Sequence, residues 1–205
     1  CGNGNQIFDR LEYADKKNIV LAGVKNSNVS LEIVKDNIDR VSELLEKYRL
    51  AEMLEYPFTI DYSHSLRAND FAETFPGTGH ILYMNKDACR NKEALAKEYK
   101  KLVDKRFFVD GTDYRAIPYH EMGHIIADVY SIDPKDIAMR VSGTKNTVEL
   151  MEFVGKNLSI YATKDLDGSE IIAECFASVY GGGKSEFALK FVEECDKIIL
   201  QGGGQ

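Results

Sequence analysis

The chain has 205 residues, 44% of them hydrophobic, enough to bury a core without disulfide or metal staples. Its 33 acidic side chains against 26 basic ones give a net charge of −7. That balance argues against a protein whose main task is to grip nucleic acid or an anionic membrane surface. No signal-peptide pattern and no run of about 18 apolar residues is present. The first residue is Cys1 rather than Met, so a piece of a longer polypeptide is expected.

Residues 1–28 are punctuated by Gly and Asn around one short apolar run, Ile19-Val20-Leu21-Ala22, and read as a leading arm or linker. The domain proper is expected over 29–200, followed by a flexible Gly-rich tail at 201–205. From Leu31 to about Tyr48, Ile33, Val34, Ile38, Val41, Leu44 and Leu45 keep helical period behind Ser30 as N-cap. Residues 57–62 and 80–85 alternate or cluster as strands do, separated by the turn Pro76-Gly77-Thr78-Gly79. A charged helix is expected from about Asn91 to Lys105, its lysines interleaved with Glu98 and Asp104 as on a solvated face. The segments 63–79 and 131–158 are left as loops able to act as lids.

His120-Glu121-Met122-Gly123-His124 is an H-E-x-x-H pentad. On a helix, at about 100° per residue, the two imidazoles lie one turn apart and within about 40° around the axis, so they can clasp one metal ion. Glu121 then stands beside that ion, placed to take a proton from a water whose pKa a zinc site can lower from about 15.7 toward about 7. The context fits a helix from about residue 115 to Tyr130. Asp113 is a fair N-cap, Pro118 is tolerable in a first turn, and Ile125, Ile126 and Val129 recur at helical spacing.

A catalytic zinc site takes three protein ligands and an open position, so a third donor is required. The continuation with a third histidine fails, because Ala127 and Tyr130 occupy its glycine and histidine positions. A downstream carboxylate is the alternative. A second apolar helix carries Glu170 and Glu174 on one face, an arrangement that makes sense if a cation or a histidine N–H compensates them. Asp128, one turn past His124, is either a partner for a ligand histidine or a solvated helix aspartate. His64 and His80 have no donor at ligand spacing and read as surface or turn residues. Gly181-Gly182-Gly183 follows a helix rather than a strand. It reads as helix termination before a helix over Ser185 to Leu200, not as a phosphate loop. Cys1, Cys89, Cys175 and Cys195 show no metal or disulfide spacing, which favours a reducing compartment.

The pentad, the preceding Gly111-Thr112-Asp113-Tyr114, the Ser159-Ile160-Tyr161-Ala162 segment and Glu170-Ile-Ile-Ala-Glu-Cys-Phe-Ala together resemble the zincin domains of MuF-like phage minor head proteins and the catalytic domain of anthrax lethal factor. The resemblance implies an α+β zincin-like fold, a small mixed sheet packed on helices, with an active-site helix and a downstream glutamate helix. It implies Zn2+ held by His120, His124 and Glu170, with Glu174 behind the ligands. It makes Tyr161 an oxyanion donor, where residue type alone equally allows a half-buried core tyrosine. It also makes the strand at 80–85 the edge on which a substrate peptide pairs, where an ordinary core strand is equally open.

The function expected is zinc-dependent endopeptidase cleavage of a protein or peptide, with Glu121 as general base and then acid. Two other readings keep the same residues: a non-catalytic docking domain of a phage-head or larger parent protein, and a secreted effector protease. A bacterial cytoplasm or phage virion suits the motifs better than secretion.

Overall fold

The computed structural model describes residues 2–67, 70–75, 77 and 80–202. It is an α+β protein, mostly helical, with one small mixed sheet. The chain divides into two compact units, Cys1–Lys97 and Glu98–Gln205.

The first unit opens with helix α1 (Gly2–Asp15) and strand β1 (Ile19–Ala22). Helix α2 (Leu31–Lys47) and the single turn α3 (Leu50–Met53) precede β2 (Phe58–Asp61), β3 (Ala72–Thr74) and β4 (Ile81–Met84). The strand order is β1-β2-β4-β3; β1–β2 and β2–β4 are parallel and β3–β4 antiparallel. The apolar stripe expected on α2 is buried along its length, from Ile33 to Leu45. Ser30 holds the N-cap position with extended backbone, but its hydroxyl makes no cap bond.

Two expectations are corrected here. Residues 2–22, read as part of an arm, form α1 and β1, because Ile19-Val20-Leu21-Ala22 finds a parallel partner in Phe58–Asp61 and so satisfies backbone groups a linker would leave to water. The strand at 81–84 has a neighbour on each side, so its hydrogen-bonding groups are engaged within the sheet; β1 and β3 are the edges. Of the expected turn, Pro76, Thr78 and Gly79 lie outside the described residues, as do Cys1 and the tail residues 203–205.

Helix α4 (Lys92–Asp104) spans the boundary between the units, and the second unit continues as helices only. These are α5 (Ile117–Val129), α6 (Pro134–Ser142), α7 (Thr147–Asn157), α8 (Ser169–Gly181) and α9 (Glu186–Gly202). Most of residues 131–158, left as a possible lid loop, is therefore α6 and α7. Each has its own capping side chain, Asp133 accepting from the Asp136 N–H and Asn146 from the Glu149 N–H.

Helix α8 lies at the centre, packed on α5 and α9 and touching α6. Every residue from Glu170 to Ser178 is buried, so two glutamates are taken out of water along with the apolar side chains of the helix. Burying each of Ile171, Ile172 and Phe176 is worth about 2 kcal/mol, so α8 anchors the unit. It stops where expected: Gly182 takes φ 93°, a left-handed conformation costly for any residue with a Cβ, and closes the helix. Among the described residues, no helix is long and apolar enough to cross a membrane.

Candidate metal centre

Two helices build the site. A short 3-10 turn, Tyr114–Ala116, starts where the Asp113 carboxylate accepts the Arg115 N–H at 2.8 Å, and it runs directly into α5 with Pro118 in the first turn. Helix α8 begins after Gly168, whose φ of 87° and close approach to the Lys135 backbone leave no room for a Cβ.

The two helices touch at their small residues. A Cβ on Gly123 would lie 2.9 Å from the Ala173 Cα and 3.2 Å from the Ile172 carbonyl oxygen. Gly123 sits between His120 and His124, and Ala173 between Glu170 and Glu174, so this close backbone approach lies at the level of the motif residues. Sequence reasoning passed over this contact, although the small residue inside each motif is its visible trace.

His120, His124 and Glu170 each present one ligand atom, and the three atoms lie within 4.8 Å of one another. The Glu170 Oε2 is 3.2 Å from His120 Nε2 and 3.7 Å from His124 Nε2. Donors bound at about 2.1 Å in a tetrahedron stand about 3.4 Å apart, so these separations suit a small divalent ion. Glu170 Oε2 is also buried and accepts no well-directed hydrogen bond, a costly condition for a carboxylate oxygen that a cation would relieve.

Charge gives the same answer. Glu121, Glu170 and Glu174 are only 7%, 7% and 1% exposed. Three carboxylates removed from water in one cluster, at several kcal/mol each if uncompensated, demand positive charge nearby. The protein supplies some of it through His120. Burial opposes a charge there, but the carboxylates of Glu170 and Glu174 beside its two ring nitrogens prevail and raise its pKa to about 10. His124 goes the other way, down to about 4, because of burial and the neighbouring His120 charge. For Glu170, burial favours the neutral acid, yet the His120 N–H and charge hold its pKa below the usual carboxylate value. His120, His124 and Glu170 could thus hold a metal ion, which would displace the His120 Nε2 proton.

Behind the ligands, His120 Nδ1 and Glu174 Oε1 are 2.9 Å apart, the ring N–H donating to the carboxylate. That bond fixes the ring with Nε2 toward the centre. Tyr99 lies close enough to Glu174 for the carboxylate charge to add to burial in pushing its phenol pKa up, and its hydroxyl is 3.2 Å from Thr112 Oγ1. Sequence reasoning did not find Tyr99, which sits outside any motif.

The Tyr161 ring meets that of His120, centroids 5.5 Å apart and inclined by 62°. The Phe107 and Phe108 rings flank it at 5.3 and 5.4 Å. Its backbone N–H donates to the Phe107 carbonyl, and Ser159 Oγ accepts the Ala162 N–H within the 3-10 turn Tyr161–Thr163. Asp128 is exposed one turn past His124, and the charges of Glu170 and Asp167 bear on His124. Asp167, also not anticipated, accepts the Ser169 N–H at 2.9 Å at the start of α8. His64 and His80 belong to the first unit and take no part in this group. Cys89, Cys175 and Cys195 are buried free thiols; burial pushes Cys89 and Cys195 up to about 12, away from the thiolate form that binds metals.

Compared with known proteins, the chain matches no family model, no curated protein and no solved structure.

Proposed function

We propose that this chain is a zinc-dependent endopeptidase of the zincin type. The observation that carries the reading is the convergence of two imidazole Nε2 atoms from α5 with the buried Glu170 carboxylate from α8, while Glu121 is buried in the same turn as the histidines. Fold analogy supports it more weakly: an H-E-x-x-H helix packed on a downstream glutamate helix is the pairing that a glutamate-liganded zincin would need.

His120, His124 and Glu170 would hold the ion. Zinc, when bound there, supplies Lewis acidity that brings a water's pKa near neutrality. Glu121 takes the water's proton and later delivers it to the leaving amine. Glu174 keeps the His120 ring oriented through Nδ1, and Tyr161 offers its hydroxyl to the negative charge that develops on the scissile carbonyl oxygen. Peptide or protein is the substrate class.

The test is Glu121→Gln beside wild type, both loaded with Zn2+ and incubated with a broad peptide library read by mass spectrometry. Cleavage is expected to fall by about 10² to 10⁴ with metal content unchanged. Equal cleavage by the two proteins refutes the assignment of the base. Stoichiometric metal with no peptide cut by wild type refutes the peptidase and leaves a docking domain.

A further inference from the structure

Lys164 closes the 3-10 turn that begins at Tyr161, its backbone N–H donating to the Tyr161 carbonyl at 3.0 Å. In a 3-10 helix, side chains three residues apart eclipse one another, so this turn stacks the lysine over the tyrosine. The result is visible in two contacts: the Lys164 ammonium is 3.3 Å from the Tyr161 hydroxyl oxygen and 4.9 Å from the ring centroid. The Tyr161 ring meets His120, and the Lys164 charge bears on both Glu170 and His124, so the pair borders the metal-binding group. Around that group the buried side chains are otherwise rich in carboxylate, from Glu121, Glu170 and Glu174.

A phenol has one hydrogen to give and lone pairs to receive. An ammonium donating to the oxygen occupies a lone pair, turns the O–H away from itself and polarises it, which strengthens the bond that hydrogen makes to a third group. We propose that Lys164 is a positioning residue for Tyr161: it orients the hydroxyl so that the phenol hydrogen is presented to an anionic oxygen bound at the metal. This rests on the metallopeptidase reading, and it adds a residue that the H-E-x-x-H and glutamate motifs do not contain.

The probe is phenylphosphinate, a tetrahedral monoanion, titrated into the full chain loaded with Co2+ and followed by the visible absorption of the ion; imidazole, a neutral ligand, is the control. Four variants are compared with wild type: Lys164→Met, Lys164→Arg, Tyr161→Phe and the double variant Tyr161→Phe/Lys164→Met. The contact is exposed, so Lys164→Met is expected to weaken phenylphosphinate about 5-fold and no more. Lys164→Arg should recover most of the loss. Imidazole binding to the Co2+-loaded protein should be unchanged, and the second substitution should add nothing once Tyr161 is Phe. Wild-type phenylphosphinate affinity in Lys164→Met, equal losses in both backgrounds, or a matching loss for imidazole overturns the proposal while the metal centre stands. Failure of wild type to bind Co2+ or Zn2+ stoichiometrically removes the metal centre, and this proposal with it.

Discussion

Replacing Gly123 by alanine is expected to push α8 away from α5 and to weaken metal binding without unfolding the protein. Two effects of opposite sign decide the size. Alanine is a better helix former than glycine by about 1 kcal/mol in a helix interior. Against this, the new methyl would sit 2.9 Å from the Ala173 Cα, 3.2 Å from the Ile172 oxygen and 3.3 Å from the Ala173 nitrogen. These are backbone atoms, which cannot swing aside as a side chain does, so the helices must part by several tenths of an ångström, and such overpacking costs about 1–3 kcal/mol. The net is a destabilisation of about 0–2 kcal/mol, a fall of roughly 0–8 °C in melting temperature for a chain of this size. The same displacement carries Glu170 away from the two imidazoles, so Zn2+ affinity should fall at least about 10-fold. Gly155, inside α7, is the internal control: its added Cβ would meet only the Thr163 Cγ2, at 3.4 Å, an ordinary contact. Gly155→Ala should therefore keep the helix-forming gain of about 1 kcal/mol and leave metal affinity alone. Thermal denaturation with and without chelator, and competition for Zn2+ with a chromophoric chelator, measure both quantities. If Gly123→Ala binds Zn2+ as tightly as wild type and melts higher, as Gly155→Ala should, the close approach of the two helices does not set the site.

Glu174→Gln should lower Zn2+ affinity by about 10- to 100-fold, because an amide at the His120 Nδ1 position supports the ring less well than a carboxylate; unchanged affinity would remove Glu174 from the site. In the metal-free protein, imidazole NMR at pH 8 should find His120 charged, and at pH 6 His124 neutral. A histidine whose folded pKa is raised stabilises the fold fully below its ordinary value of 6.5. That contribution from His120 is lost as pH climbs through about 10, so the apo protein should lose stability across that window. Titration of His120 near 6.5 would contradict the carboxylate pairing. Zn2+ binding at pH 8 should accordingly release about one proton, measurable by calorimetry in buffers of different ionisation heat.

The local pattern of the chain carried much of this. An amphipathic period and a cap are properties of a few consecutive residues, which is why α2, α4, α5, α8 and α9 could be placed from sequence, and why two histidines four apart with a glutamate between them already marked a candidate pair of metal donors and a candidate base. The pairing of distant segments is another kind of fact. Ile19–Ala22 looked like an isolated apolar run because its partner lies nearly forty residues on, at Phe58–Asp61, and only the sheet reveals it as a strand. The strand at 81–84 could be read as an edge until β3 was found beside it. At the site, sequence narrowed the third donor to the helix bearing Glu170 and Glu174. It could not divide their roles by residue type, since both share a face. Tertiary packing divides them: with α5 and α8 touching at Gly123 and Ala173, Glu170 meets both Nε2 atoms and Glu174 meets Nδ1 of His120. Lys164, Asp167 and Tyr99 became visible only then, because a charge or a phenol acquires meaning from what faces it, and that depends on how the helices approach rather than on the residues beside it in the chain.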